Sequence, residues 1–256
     1  MAKTIRIISW NVNGIRAAVK KGLWKFVKKD KADIYCLQET RARAEQVKGS
    51  LGNYFSYWNE AEKAGYSGVA TFTKLEPKAI INDPENSDFY DKEGRLLVTK
   101  FDNFTLLNVY FPNGKQNKGR LKYKLDFYEH FLKYINKLRE NGEKIVFCGD
   151  VNTAHKEIDL ARPEANVNIS GFLEIERKWI DKVIKNGYLD SFRLFCKKAR
   201  QYSWWSQRGG SRGRNVGWRI DYFFVDKSLE NRIKRAFIMP KVLGSDHCPV
   251  GIEIEL

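Results

Sequence analysis

Asp150 and Asn152 stand two residues apart, directly after the short apolar run IVFCG at residues 145–149. That run has the composition of a buried strand, and side chains two positions apart on an extended segment point to the same side. A carboxylate and a carboxamide at the end of a buried strand add little to packing, but they can orient a water molecule or bind a metal ion. Gly-Asp-x-Asn is also common in turns, so this window alone leaves both interpretations open.

Other predicted strands end in polar residues in the same way. Asn11, Glu39 and Asn113 follow the strands predicted at residues 4–9, 33–37 and 105–110, respectively. Asp246 and His247 precede the closing strand predicted at residues 250–256, and Asp221 lies within the apolar run 219–225. We expect these side chains to meet at one rim. Carboxylates gathered at low dielectric need a cation or a proton, and oxygen donors favour Mg²⁺ or Mn²⁺ over Zn²⁺. The imidazole of His247, beside Asp246, adds a group that can change its protonation state near neutral pH.

The remaining elements must hold those strands in place. Apolar spacing predicts helices at residues 16–29, 121–138 and 174–186, with Gly142 as the C-cap of the second. The pattern also predicts strands at residues 68–73 and 202–205, and it pairs 96–101 with 105–110 as a hairpin. Strands and helices alternate with no linker or low-complexity segment between them. The sequence therefore predicts one α/β domain over residues 1–256.

Composition points to a polyanionic partner. The chain has 256 residues, and 46 Lys and Arg against 31 Asp and Glu give a net charge of +15. This excess favours nucleic acid, because bound phosphates release counterions, although a merely Lys-rich surface stays an alternative. The four cysteines are far apart with no CxxC pair, and Cys36 and Cys148 are predicted to be buried free thiols. No signal-peptide pattern or membrane-length apolar stretch is present, so we expect an intracellular protein without a membrane partner.

Eight ordered motifs carry a resemblance to a known family. They are SWNVNGIRA, LQET, GYSGVA, NVYFPNG, GDVNTAHKEIDLARP, SGFLEIER, VGWRIDYFFV and GSDHCPV, spread from about residue 7 to residue 252. The set resembles the exonuclease III family of abasic-site (AP) endonucleases, within the endonuclease/exonuclease/phosphatase superfamily. The resemblance implies a four-layered α/β sandwich, in which two packed mixed β-sheets are flanked by helices and the site lies at one edge.

The implied reaction is hydrolysis of double-stranded DNA 5′ to an abasic site, leaving a 3′-hydroxyl and a 5′-deoxyribose phosphate. The resemblance implies Mg²⁺ as the cofactor, with Mn²⁺ able to substitute. The implied ligands are Glu39 with Asn11 and Asp246. If two ions are used, the second would lie at Asp150, Asn152 and His247; the number of ions is left open.

The resemblance also implies a catalytic set. Asp150 would orient and deprotonate the attacking water, although the identity of the general base is left open. Asn152 would donate to a phosphate oxygen, and His247, oriented by Asp221, would contact the scissile phosphate. Tyr110 would touch the same phosphate or stabilise the leaving group.

Two further groups of residues are implied to bind DNA. Those on the DNA-facing surface are Arg16, Tyr66, Asn113, Lys115, Asn166 and Arg208. Those forming an apolar pocket for the abasic sugar are Trp204, Trp218 and Ile220. Arg208 lies in a basic, glycine-containing loop at residues 207–215 that we expect to be mobile, and a solvated turn is the alternative for it. Trp205 and Tyr222 are predicted core aromatics, while Lys124, placed on the exposed face of its helix, is left as either surface or DNA contact.

The sequence also suggests a cellular setting for the protein, and two alternative functions stay open. The chain starts directly at the first motif, without the long N-terminal extension of the vertebrate nuclear enzymes of that family, and we therefore expect a prokaryotic, cytoplasmic protein. A monomer is the default expectation. Some 3′→5′ exonuclease or 3′-phosphodiesterase activity is expected, and incision at damaged or deaminated nucleotides is left open. The rivals are a superfamily phosphatase acting on a non-DNA phosphate ester and a catalytically inactive DNA-binding protein.

Overall fold

In a computed structural model of the protein, the residues described are 3–49, 51–82, 84 and 92–255. The strands are β1 (Thr4–Asn11), β2 (Ile34–Gln38), β3 (Phe55–Asn59), β4 (Val69–Thr73), β5 (Ala79–Ile81), β6 (Leu96–Lys100), β7 (Thr105–Tyr110), β8 (Ile145–Asp150), β9 (Tyr188–Asp190), β10 (Trp204–Trp205), β11 (Gly217–Trp218), β12 (Asp221–Asp226), β13 (Ile233–Ile238) and β14 (Val250–Glu255). The α-helices are α1 (Ile15–Lys20), α2 (Leu23–Asp30), α3 (Lys118–Glu140), α4 (Glu174–Lys185) and α5 (Ser191–Phe195).

The larger strands form two mixed sheets of similar design. One sheet has the order β13-β14-β1-β2-β4-β3, and the other has the order β5-β6-β7-β8-β12-β9. Each contains one parallel pair, β1 with β2 and β7 with β8, among antiparallel neighbours. β10 and β11 form a separate two-stranded ribbon.

Three apolar clusters separate four layers. Between the sheets, Ile7 and Cys36 of the first pack with Leu106, Cys148 and other residues of the second. On the outer face of the first sheet, α1 and α2 cover a cluster that includes Trp10 and Tyr35. On the outer face of the second, α3 and α4 cover a cluster centred on Phe111, Tyr128 and Trp179. These layers confirm the predicted four-layered α/β sandwich.

The strand directions bring the predicted polar endings to one edge. β1 and β2 end there in parallel, as do β7 and β8 in the other sheet. β12 runs antiparallel to β8, so Asp221 at its start is opposite Asp150 at the end of β8. β14 runs antiparallel to β1, so the residues that precede it lie beside the end of β1. Gly149 is required in β8, because a Cβ there would lie 1.8 Å from the Val109 carbonyl oxygen.

Several element predictions need correction. The helix predicted at residues 16–29 is two helices, because the chain turns at Gly22, whose φ of 100° is left-handed. The exposed-face placement of Lys124 is wrong: this residue is fully buried, beside Phe127 and Phe131 on the same face of α3. Strands β3, β5, β9, β11 and β13 and helix α5 were not predicted, since most are short or half-exposed and lack a clear apolar period.

Other predictions are confirmed. The hairpin of β6 and β7 pairs as expected, Trp205 and Tyr222 are core residues, and Cys36 and Cys148 are buried free thiols. The final residue of the predicted closing strand lies outside the described part of the chain. No helix among the described residues is both long enough and apolar enough to cross a membrane.

Candidate active site

Most of the predicted site residues line one cavity at the edge where the strands end. Its volume is about 220 Å³. The predicted residues in its wall are Glu39, Tyr110, Asn113, Lys115, Asp150, Asn152, Trp204, Trp218, Ile220, Asp246 and His247. Asn11 and Asp221 lie behind this wall, where both are buried and bonded to residues that line it.

Asn11 joins two carboxylates that come from different sheets. Its Nδ2 donates to Glu39 Oε2 at 3.0 Å and to Asp150 Oδ2 at 2.9 Å. Its Oδ1 accepts from the Asn13 backbone N–H at 3.0 Å. The amide therefore presents its nitrogen to the acids, so in this arrangement Asn11 positions Glu39 and Asp150. Its predicted role as a metal ligand stays a prediction.

Two site residues have left-handed backbone conformations. Glu39 has φ 56° and Asn152 has φ 55°. This region is uncommon for non-glycine residues, and such outliers cluster at functional sites. At both positions the turn aims a polar side chain into the cavity directly after a buried strand.

Arg41 is a site residue that the sequence reasoning missed. Its Nε donates to Glu39 Oε1 at 3.0 Å, and its Nη2 contacts the same oxygen. Burial opposes the charge of Arg41, but the Glu39 carboxylate outweighs this and raises the arginine's pKa. Its position two residues beyond Glu39, at the end of a buried strand, is the signal that could have identified it.

Asp221, His247 and Asp150 form a linked row. His247 Nδ1 is 2.9 Å from Asp221 Oδ2, and its Nε2 is 3.8 Å from Asp150 Oδ2. Ser203 Oγ donates to Asp221 Oδ2 at 2.6 Å, which fixes the acid that orients the ring. One ligand atom from each of the three lies within 4.8 Å of the others, a spacing that could also hold a metal ion.

The charges in this row depend on one another. Burial would lower the pKa of His247, but Asp221 and then Asp150 raise it well above its ordinary value. Burial raises the pKa of Asp150, with His247 opposing this and Asp221 adding to it. A protonated His247 is therefore favoured, and Asp150 binds a proton more readily than an ordinary aspartate does, because burial disfavours its charge.

Asp246 is held by two donors. Asn13 Nδ2 donates to its Oδ1 at 2.8 Å, and the Trp204 indole N–H donates to its Oδ2 at 3.0 Å. Burial raises the pKa of Asp246, but His247 and these two donors outweigh it and hold the pKa below its ordinary value. Asp246 is thus an ionised carboxylate on the cavity wall, and it is hydrogen-bonded to Trp204, which lines the same cavity.

Asn152 is fixed on all sides. Its backbone N–H donates to Asp150 Oδ1 at 2.8 Å, and its Nδ2 donates to the Phe111 carbonyl at 2.9 Å. Its Oδ1 accepts from Asn113 Nδ2 at 2.9 Å. These contacts place a side-chain amide beside Asp150 with little freedom to rotate.

Tyr110 is supported from behind by Arg95. The Arg95 guanidinium lies 4.6 Å from the centroid of the Tyr110 ring, and its Nη1 donates to the Tyr110 carbonyl at 2.9 Å. Burial, and then the Glu39 carboxylate, raise the pKa of Tyr110 well above its ordinary value. The phenol therefore keeps its proton and is available as a hydrogen-bond donor.

Two tryptophans form the apolar side of the cavity. The rings of Trp204 and Trp218 meet edge to face, with centroids 6.4 Å apart and an interplanar angle of 81°. Ile220, which also lines the cavity, and Leu160 belong to the same apolar cluster as the two rings. The pocket therefore has apolar walls on one side and the acids and amides described above on the other.

A buried ion pair supports the floor of the site. Lys124 Nζ donates to the Asn152 carbonyl at 2.8 Å and to Glu176 Oε1 at 2.6 Å. Glu176 also accepts from the Gly171 backbone N–H, and Gly171 lines the cavity. Lys124 is thus neither a surface residue nor a DNA contact: it joins the Asn152 turn to the Gly171 turn.

The remaining predicted DNA contacts lie outside the cavity. Arg16 is exposed and lines a neighbouring depression, and Tyr66 accepts from Arg120 Nη2 at 3.3 Å. Asn166 donates to the Arg162 carbonyl within its own turn. Arg208 is exposed, as expected. These placements leave the DNA-binding roles as predictions.

The basic loop at residues 207–215 is more anchored than expected. Arg212 donates to the carbonyls of Ser245, Pro240 and Val242, and its guanidinium lies 4.6 Å from the centroid of the Trp205 ring. This arginine joins the loop to the turn that carries Asp246 and His247. Arg208 and Arg214 remain exposed beside it.

Comparisons with known proteins agree with this geometry. The chain matches the Endonuclease/Exonuclease/phosphatase family over residues 8–247. It is 43% identical to an exodeoxyribonuclease of Bacillus subtilis (strain 168), over 98% of this chain and 100% of that protein. It is 38% identical to a DNA-(apurinic or apyrimidinic site) endonuclease of Dictyostelium discoideum, over 98% of this chain and 71% of that protein.

Among solved structures, the chain is similar to the AP endonuclease LMAP of Leishmania major. The TM-score is 0.89 at 30% identity, covering 99% of this chain and 88% of that one. The ordered motifs, the four layers and these similarities lead to one assignment. This protein belongs to the Endonuclease/Exonuclease/phosphatase family, in the branch of the exonuclease III-type exodeoxyribonucleases and AP endonucleases.

Proposed function

We propose that this protein is a DNA repair nuclease that hydrolyses the phosphodiester 5′ to an abasic site, leaving a 3′-hydroxyl and a 5′-deoxyribose phosphate. The observation that carries this proposal is a single cavity with two chemically different sides. Trp204, Trp218 and Ile220 form an apolar wall, while Asp150, Asn152 and His247 face the same space. An abasic sugar has no base to lose from the stack, so a small apolar pocket can select it over an ordinary nucleotide.

The donor set fits a divalent cation. Glu39, Asp150 and Asp246 line the cavity, and burial disfavours the charged form of Asp150 unless a cation lies nearby. Oxygen donors of this kind suit Mg²⁺, with Mn²⁺ as a substitute. Glu39 would hold the ion with Asp246, and Asn11 would hold Glu39 in place. When bound, the ion would neutralise charge on the phosphate and on the leaving 3′-oxygen.

The protein's own groups would carry the proton transfers and the orientation. Asp150 would accept the proton of the attacking water. The Asn11 side-chain amide and the Asn152 backbone N–H hold its carboxylate in one orientation for this step. Charged His247, held by Asp221, would donate to the phosphate oxygens as negative charge builds there. The side-chain nitrogen of Asn152 donates to the Phe111 carbonyl and to Asp150 Oδ2, so it would donate to the phosphate in exchange for its 3.2 Å bond to Asp150. Tyr110, which keeps its proton, would donate to the same phosphate.

Basic residues beside the cavity would bind the flanking DNA backbone. A depression of about 660 Å³ next to Asn13 is lined by Arg16, Lys20, Arg41 and Lys48. Lysine and arginine around a cleft bind phosphates without regard to sequence, in keeping with the net charge of +15. We further propose that the protein acts on double-stranded DNA as a monomer in a prokaryotic cytoplasm, and that it has some 3′→5′ exonuclease or 3′-phosphodiesterase activity.

The test is incision of a labelled duplex that carries one tetrahydrofuran abasic analogue, in Mg²⁺ and in EDTA, beside duplexes with uracil or no lesion. Mg²⁺-dependent cutting 5′ to the analogue is the expected result. Cutting at uracil as well would keep the reaction and indicate a broader pocket. Tight binding with no cutting would favour an inactive DNA-binding protein, and neither binding nor cutting would favour a phosphatase of the same family.

A further inference from the structure

The ammonium group of Lys115 lies over both tryptophans of the proposed sugar pocket. Its Nζ is 5.2 Å from the centroid of the Trp204 ring and 5.1 Å from that of Trp218. The Lys115 backbone N–H donates to Asn113 Oδ1 at 2.9 Å, which ties this residue to the Asn113–Asn152 pair. Much of the Lys115 residue is exposed to solvent, but its amine lies against the apolar wall of the cavity.

This amine has an unusual environment for a lysine. Within the described part of the chain, its Nζ makes no ion pair or hydrogen bond, and its close partners are the two aromatic faces. Loss of hydration there lowers the pKa of Lys115, although Glu176 and Asp150 act in the opposite direction. Lys115 therefore exists as the neutral, nucleophilic amine more often than a solvated lysine does.

An abasic sugar offers such an amine a reaction partner. Without its base, deoxyribose opens from the cyclic hemiacetal to a chain with an aldehyde at C1′. Primary amines condense with aldehydes to form imines, and binding in one pocket greatly raises the effective concentration of the two groups. The indoles of Trp204 and Trp218, which would hold the sugar, are the groups that hold the Lys115 amine.

Resting on the proposed function, we propose that Lys115 Nζ forms a reversible imine with C1′ of the abasic sugar. The nitrogen lone pair forms the N–C1′ bond as the C=O π electrons move to oxygen. The aldehyde oxygen then leaves as water, taking the two protons of the neutral amine, and a further proton gives the iminium ion. Water reverses each step, so the capture needs no oxidant, reductant or metal ion.

The capture would act on both substrate and product. Hydrolysis of the 5′ phosphodiester leaves the C1′ aldehyde unchanged, so the 5′-deoxyribose phosphate end could stay attached through Lys115. A reactive aldehyde at a strand break would thereby be shielded. The reaction that consumes this product must then be one that removes a 5′ sugar phosphate, and it must follow hydrolysis of the imine.

The experiment traps the imine with sodium cyanoborohydride, which delivers hydride to the iminium carbon and leaves a stable secondary amine. EDTA is present throughout, so metal-dependent hydrolysis does not contribute. We expect a covalent complex with a duplex that carries a natural aldehydic abasic site and none with the tetrahydrofuran analogue. Peptide mapping should place the adduct on Lys115. Lys115→Arg keeps the charge but forms no imine, and we expect it to lower the trapped yield by about tenfold or more.

Lys118→Arg is the matched control. Lys118 is an exposed lysine at the start of α3, three residues along the chain, and we expect this variant to trap as well as the wild type. Two results would overturn the inference: wild-type protein that binds the aldehydic duplex but gives no adduct, or an adduct that maps elsewhere and survives Lys115→Arg. Binding and Mg²⁺-dependent incision of the tetrahydrofuran duplex test the proposed function separately. If both fail, the proposed function is rejected and this inference with it.

Discussion

At the scale of single residues, the site depends on side chains whose freedom has been removed by their neighbours. Asp150 accepts from the Asn11 amide and from the Asn152 backbone, and His247 is held by Asp221. Arg41 compensates Glu39 on the other side of the cavity. Fixed donors and acceptors of this kind stabilise a transition state without having to reorganise as the charge moves.

The substitution Asp150→Asn tests the proposed general base. It keeps the size of the side chain but removes its ability to take a proton, so we expect single-turnover incision of an abasic duplex to fall by about 10³-fold. DNA binding, measured by fluorescence anisotropy, should remain. Asp126→Asn, at an exposed site on α3 where the acid pairs with Lys122, is the control and should leave the rate unchanged. A full rate in Asp150→Asn would exclude Asp150 as the base.

At the scale of elements, buried ion pairs connect the helices and turns that surround the cavity. Lys124 of α3 and Glu176 of α4 join two turns that line it. On the far side, Arg219 donates to Asp159 Oδ1 at 2.7 Å and to Asp190 Oδ2 at 2.7 Å, which fixes the start of β12. Such pairs set the relative positions of elements more than they add net stability.

The substitution Lys124→Met tests the first of these connections. It leaves the Glu176 carboxylate buried without its cation, so we expect the free energy of unfolding to fall by about 3 kcal/mol. Adding Glu176→Gln should recover part of that loss, because the uncompensated charge is then removed. Urea denaturation of the two single variants and the double variant measures the coupling. Additive losses would show that the two residues are not coupled.

The ion pairs of Asp159 with Arg219 and Arg193 predict that the stability of the fold depends on pH. Burial raises the pKa of Asp159, but Arg219 and Arg193 outweigh it and hold the pKa at about 2. A depressed folded-state pKa gives stability that is complete above the unfolded value of about 4 and is lost as the pH falls towards 2. We expect the wild-type free energy of unfolding to decline through this window. Asp159→Asn should be less stable at pH 7, and its free energy of unfolding should decline less steeply than that of the wild type as the pH falls. Equal slopes for the two proteins would contradict the lowered pKa of Asp159.

At the scale of the whole molecule, two similar sheets share one apolar interface. Gln38 of the first sheet donates to Asn108 Oδ1 of the second at 2.8 Å, and Asn108 donates back to the Ala70 carbonyl at 2.9 Å. These buried hydrogen bonds lie within a largely apolar layer and fix the position of one sheet against the other. The cavity lies at the edge of that layer, so its geometry depends on both sheets.

The single domain predicted from the sequence can be tested by calorimetry. A shared interface between the sheets should make them unfold together, so we expect one transition with equal calorimetric and van't Hoff enthalpies. Far-ultraviolet circular dichroism and tryptophan fluorescence should report the same midpoint. Two resolved transitions would instead indicate that the two sheets, with their helices, unfold as separate units.

The sequence by itself determined the strand-end motifs, the long helix and the family resemblance. Each depends on local information: apolar periods, the polar residues that follow buried runs, and motifs a few residues long. Asp150 with Asn152 and Asp246 with His247 could therefore be identified as candidates before any fold was known. The long helix was also predicted, but Lys124 was wrongly placed on its exposed face, because a lone lysine on a helix is more often solvated than buried.

Only the tertiary structure decided which side chains meet. Asn11 and Asp150 are separated by 139 residues, and their contact depends on two sheets packing with a particular register. The same packing buries Lys124 against Glu176, pairs Arg41 with Glu39 and places the Lys115 amine over Trp204 and Trp218. Contacts of this kind follow from long-range packing, which no short window of sequence contains.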